Sequence, residues 1–102
     1  MDFLTIDMVK THCRIEDYSR DKDKQREIDN NIRKCAGTGE EYVYEHIGKG
    51  LFDIIKEYGE MPIPIVQAAL IATADILIYG REPNENYAFK AMLKPYKKDK
   101  EL

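Results

Sequence analysis

The chain has 102 residues, 43% of them hydrophobic and 34% charged, with a formal net charge of -3. That length holds one domain with one modest core, and the balance suits a globular chain with a charged surface, not a disordered one. The missing basic excess argues against a general nucleic-acid binder. No run of about 18 apolar residues is present to cross a membrane.

The opening residues, Met1 to Thr5, carry no basic n-region and no apolar h-region, so no secretory leader is expected. Cys13 and Cys35 are then expected as free thiols in a reducing compartment. Thr5 reads as the N-cap of a first short helix with Ile6, Val9 and Cys13 at helical spacing, ending near Cys13 or Arg14. A polar loop follows, with Asp17, Ser19 and Asp21. A long second helix is expected from about Asp23 to His46, its apolar face formed by Ile28, Ile32, Cys35 or Ala36, Tyr42 or Val43, and Ile47. Gly37 and Gly39 predict a kink or break in it, since each costs a helix interior about 1 kcal/mol relative to alanine. Gly48 and Gly50 are suited to ending it.

Leu51, Phe52, Ile54 and Ile55 predict a short third helix closed by Gly59. Pro62 and Pro64 introduce a helix from about Ile65 to Tyr79, since proline fits a first turn. This helix is apolar on nearly every side and is expected to be the most buried element. Gln67, Thr73 and Asp75 are its polar interruptions. Gly80 ends it, and Asn84 or Asn86 caps a last helix carrying Tyr87, Ala88, Met92 and Leu93. Pro95 disfavours helix at Lys94, leaving a basic, polar tail from about Tyr96. No strand-like alternation of useful length and no repeat is evident.

Few residues suggest chemistry. His12 and Cys13 are adjacent and point apart on a helix. Cys35 and His46 share a face but lie roughly 16 Å apart at 1.5 Å per residue, and no Cys-x-x-Cys or His-x-x-x-His spacing exists. Cys35 reads as core, where unpaired cysteines usually reside. Gly37-Thr38-Gly39 and Gly48-Lys49-Gly50 lack the spacing and preceding strand of a phosphate loop. The acidic pairs Asp21 and Asp23, Glu40 and Glu41, and Asp53 and Glu57 alternate with bases, the pattern of a solvated, ion-paired surface. Asp75 is the exception: within the most apolar helix it needs a base such as Arg14 or Arg81, or a face open to water or a neighbour. The closing lysines, Lys90, Lys94, Lys97, Lys98 and Lys100, suit docking onto an acidic protein surface or contact with DNA phosphate, and the neighbouring Pro95 and Tyr96 suit a protein-docking segment.

The order of these signals resembles the small helical head–tail connector proteins of tailed phages, often labelled DNA-packaging proteins in prophages. Leu4-Thr5-Ile6, Val9-Lys10, His12 and Arg14-Ile15 resemble that family's opening helix. Tyr42, Glu45 and Ile47-Gly48 resemble the end of its second helix. Pro64, Gln67-Ala68, Leu70-Ile71, Tyr79 and Arg81-Glu82 resemble its central helix, and Leu93 with Pro95-Tyr96-Lys97 its closing motif. Lys97 stands where arginine is more usual, and Gly50 to Met61 is not distinctive.

The resemblance implies a structural subunit with no catalysis, cofactor or metal. Copies would form a ring with the portal on one side and a head-completion or tail protein on the other, DNA passing through without sequence-specific binding. It would assemble in the bacterial cytoplasm and end in the virion. The expected fold is a single all-α domain of four main helices and one short one. Its core is expected at Ile65, Ala69, Leu70, Ile76 and Leu77, surrounded by Ile28, Ile32, Val43, Phe52 and Leu93. The lateral subunit interface is expected at Arg20, Asp21, Lys22, Asp23, Lys24, Arg26 and Glu27, and portal docking at Pro95, Tyr96, Lys97 and Lys98. The alternative is a small helical nucleic-acid-binding packaging or regulatory module, which would need a basic recognition helix. A small enzyme would need a nucleophile–base pair or a metal cluster.

Overall fold

The computed structural model describes residues 1–16 and 20–97, and among them all regular structure is helical. Five α-helices occur in order: α1 (Ile6–Cys13), α2 (Lys22–Ile47), α3 (Leu51–Tyr58), α4 (Ile63–Ala74) and α5 (Tyr87–Leu93). Asp75–Tyr79 extends α4 as a π-helical segment, and short 3-10 turns occupy Pro83–Glu85 and Lys94–Tyr96. The architecture is the small all-α bundle that the sequence predicts.

Local chemistry explains most boundaries. The Thr5 hydroxyl accepts the Met8 N–H at 3.1 Å and starts α1. Arg14 ends it in the left-handed region, with φ 57°, and the Ile15 N–H closes onto the Lys10 carbonyl at 2.9 Å. Asp21 caps α2 through the Lys24 N–H, and Gly48, with φ 74°, ends it. Asn86 caps α5 by accepting the N–H groups of Ala88 and Phe89.

α2 is one continuous helix of 26 residues, about 39 Å long at 1.5 Å per residue. The expected break at Gly37 and Gly39 does not occur. Two helix-interior glycines cost α2 about 2 kcal/mol of propensity, which is small beside the packing of its buried face: Ile32, Ala36, Val43 and Ile47 are all at most 1% exposed. Gly39 also has a packing role. A Cβ built there would lie 2.5 Å from Thr73 Oγ1 and 3.1 Å from both the Ala69 carbonyl oxygen and the Thr73 nitrogen of α4. The absent side chain is what lets α4 seat against α2. A Cβ on Gly37 would meet nothing within 4 Å.

Contacts along the helices fix their directions. Residues 2–4 meet Glu40 and Lys10 meets Asp29, so α1 runs antiparallel to α2. Met8 faces Leu70, and Cys13 faces Ile78, so α4 runs with α1 and against α2. Asn86 reaches Asp75 while Tyr96 meets Tyr58, so α5 runs from the end of α4 back towards α3. The core centres on Ile65, Ala68, Ala69 and Ala72 of α4, with Val9, Ile32, Val43, Ile54, Phe89 and Leu93 around them, all at most 1% exposed.

Several core expectations need correction. Leu70, Ile76, Leu77 and Ile28 are only partly buried. Phe52 is 87% exposed, because α3 turns Ile54 inward and its opposite side packs on nothing. Near-uniform apolarity also misjudges the end of the central helix, where Ile78 is 48% and Tyr79 61% exposed.

The two glycines give opposite tests. Gly39→Ala is expected to lower unfolding free energy by about 1–3 kcal/mol through overpacking against Thr73 and Ala69. Gly37→Ala, in open space on the same helix, should raise it by about 0.5–1 kcal/mol. Urea denaturation of both variants compares them directly.

Candidate functional surface

Asp75 is 1% exposed, at the point where α4 passes into its π-helical segment. Its burial is compensated on both oxygens. Arg81 donates from Nε and Nη2 to Oδ1 at 3.1 and 2.7 Å, and Asn86 Nδ2 donates to Oδ2 at 2.8 Å. Of the two bases expected for it, Arg81 is the partner. The π turn makes this possible: the Arg81 N–H closes onto the Asp75 carbonyl at 2.9 Å, and left-handed Gly80 folds the chain back. The Arg81 guanidinium then lies 4.4 Å from the centre of the Tyr79 ring. A cleft of about 350 Å³ opens beside this cluster. Arg14 and Cys13 from the end of α1 form one wall, and Ile71, Ala74, Ile78 and Tyr79 form the other.

A second unusual surface is α3. Its apolar residues cover more than its inward side: Ile54 is fully buried, while Phe52 is 87%, Ile55 39% and Tyr58 39% exposed. The C-terminal end of the helix is held through its last two residues, Glu57 and Tyr58. Lys49 Nζ donates to Glu57 Oε1 at 2.8 Å, and the Tyr58 ring meets Tyr96 edge-on at 5.5 Å. α3 leaves α2 at its C-terminal end, whereas the cleft lies where α4 ends. Gly39 lies opposite Thr73, eight residues or about 12 Å before the end of α2 at Ile47, and the rest of the cleft lies further from α3 because α4 runs against α2.

Glu40 was expected on a solvated surface and is instead 2% exposed. Its carboxylate accepts the N–H groups of Asp2, Phe3 and Leu4 at 2.8 to 2.9 Å, holding the N-terminal segment on α2. The Tyr44 hydroxyl donates to Asp2 Oδ2 at 2.8 Å beside it. Glu40 falls on the same stripe as Ala36 and Val43, at spacings of four and three. That periodicity is the signal by which sequence reading could have found it. The π turn and the exposed end of α4 leave no comparable signal.

The expected lateral segment, Arg20, Asp21, Lys22, Asp23, Lys24, Arg26 and Glu27, is exposed along the start of α2. Within it Asp21 serves as the helix cap, and Arg26 approaches Asp23 at 3.9 Å. Of the expected docking segment, Pro95 and Lys97 are exposed and Tyr96 is partly buried against Tyr58; Lys98 lies outside the described residues. The two segments are not brought together.

Cys35 is buried and Cys13 partly buried, and burial pushes both thiols above the usual thiol range. Both are thereby less nucleophilic at neutral pH. Among the described residues no group of three or more His, Cys, Asp or Glu side chains is placed to hold a metal ion. None of the helices there is long and apolar enough to cross a membrane. Compared with known protein families, curated proteins and solved structures, the chain matches none.

Removing Arg81 should test the buried cluster. Arg81→Ala is expected to cost about 1–3 kcal/mol, because Asp75 keeps only Asn86 while water replaces part of the half-exposed guanidinium. Adding Asp75→Asn should recover part of that loss in the same urea titration. His46 offers a pH test. Burial against Phe89, together with Lys97 and Lys90, holds its pKa below the ordinary 6.5. The unfolded chain therefore takes up the proton first, so stability should fall as pH drops through 6.5 towards the folded-state value. His46→Gln should remove that part of the slope in denaturation measured between neutral and mildly acidic pH.

Proposed function

We propose that the chain is a structural subunit of a tailed-phage head–tail connector. Copies stand side by side in a ring between the portal and the next head-completion or tail protein, and the ring continues the DNA channel. One observation carries the reading: several large apolar side chains stay exposed, among them Phe52 and Ile55 on α3 and Ile78 and Tyr79 at the end of α4, on separate faces, with Ile63 and Tyr87 exposed elsewhere. A small domain acting alone has little reason to keep Phe52, Ile55, Ile78 and Tyr79 in water, and such patches mark protein contacts. A subunit with two different faces can pass a head-to-tail contact around a circle until it closes. The order of sequence signals, from Leu4-Thr5-Ile6 to Pro95-Tyr96-Lys97, supports the same reading. The exposed apolar side chains and the two satisfied buried carboxylates are consistent with a scaffold that presents contact surfaces, and the role requires no turnover.

The basic residues favour protein partners over nucleic acid. Lys22, Lys24 and Arg26 alternate with Asp21, Asp23 and Glu27 along the start of α2, so this part of α2 carries no basic stripe. Light scattering of the purified chain from micromolar to millimolar concentration should reveal a large, discrete oligomer that does not grow once closed. A monomer at every concentration that also fails to bind assembled portal rings would overturn the proposal. Tight DNA binding that weakens steeply with salt would replace it with a nucleic-acid module.

A further inference from the structure

We propose that α3 of one copy docks into the cleft beside Asp75 on the next copy, with Phe52 as the inserted side chain. This rests on the ring reading and names the surfaces that would form its lateral contact. They differ from the charged start of α2, where the sequence pattern places that contact.

The two surfaces complement one another. Phe52 stands 87% exposed on a helix whose C-terminal end is held by Glu57 to Lys49 and by Tyr58 to Tyr96, so it is presented from an anchored helix. The cleft, at about 350 Å³, is large enough for a phenyl ring, and Ile71, Ala74 and Ile78 give it apolar walls. Tyr79 and Arg81, stacked at its rim, belong to the residue types that carry most binding energy at protein contacts. Charge runs the same way. The cleft holds Arg14 and Arg81 against the single carboxylate of Asp75, an excess of base. The α3 segment holds Asp53, Glu57 and Glu60 against Lys49 and Lys56, an excess of acid. Asp53 adjoins Phe52 in sequence and can meet the cationic rim as the ring enters.

The cleft also shows backbone built around it. Arg14 is the only described non-glycine residue with positive φ. Glycine would hold the left-handed turn at lower conformational cost, yet this position carries a guanidinium at the cleft wall. The two docking surfaces lie apart within one chain: α3 follows the C-terminal end of α2, and the cleft lies on the far side of Gly39, which is itself about 12 Å before that end. Each copy therefore gives one face and receives on the other. That is the heterologous geometry a ring requires, in contrast to the self-complementary patch of a two-fold dimer.

Cys13 lines the cleft and supplies the test. In Phe52→Cys, the new thiol of one copy should lie near Cys13 of the next. Mild air oxidation should then give a ladder of linked chains, with peptide mapping showing position 52 joined to Cys13. The ladder should disappear in Phe52→Cys combined with Cys13→Ala, and fall at least tenfold in yield with Ile78→Glu, whose helicity and unfolding midpoint are checked first. Links only between two copies of position 52, or a ladder unmoved by Ile78→Glu, would overturn the docking. Absence of any link would do the same. If the unmodified chain nevertheless forms a closed oligomer by light scattering, the ring reading survives and only this contact falls.

Discussion

The close approach of α2 and α4 at Gly39 is the constraint on which the rest of the structure depends. α4 has no polar face to leave in water, so it must be enclosed, and α2 is the one element long enough to cover it. Small residues on both sides let the backbones approach: Gly39 and Ala36 on α2, and Ala68, Ala69 and Ala72 on α4. Thr73 sits at the narrowest point and turns its hydroxyl back onto the Ala69 carbonyl at 2.7 Å, which satisfies it without needing space. With this contact set, α1 and α5 are confined to the remaining sides of α4. α3 is left with only one side to bury.

Two buried carboxylates anchor the pieces that this arrangement does not hold by packing. Glu40 gathers three N–H groups of the N-terminal segment. Asp75 gathers Arg81 and Asn86, so the turn after α4 and the start of α5 are fixed to one point. In each case both oxygens are used, as a buried charge requires. Among residues that are not exposed, no described buried side-chain nitrogen or oxygen lacks a hydrogen bond. The polar groups inside this small core thus act as position markers. They determine where residues 2–4 and the start of α5 lie.

A domain of this kind is consistent with assembly by contact. Its scaffold is held by apolar packing and two satisfied charges, while Phe52, Ile78 and Tyr79 remain in water at separate places. The ring proposal and the docking of α3 both draw on that separation. The first needs two faces that differ, and the second says which face receives which.

The sequence by itself determined the helical class, most helix ends and part of the core. Those features depend on local rules: caps at Thr5 and Asn86, glycine stops at Gly48 and Gly80, and apolar periodicity through Ile32, Val43 and Ile65. It also identified Asp75 as a residue in need of a base. Only the tertiary structure decided that α2 runs unbroken through Gly37 and Gly39, because a propensity loss of about 2 kcal/mol is visible in sequence and the helix that offsets it is distant. Only the tertiary structure decided that Glu40 is buried and Phe52 exposed. Composition assigns acids to the surface and phenylalanine to the core, whereas the outcome depends on which side of each helix a neighbour covers.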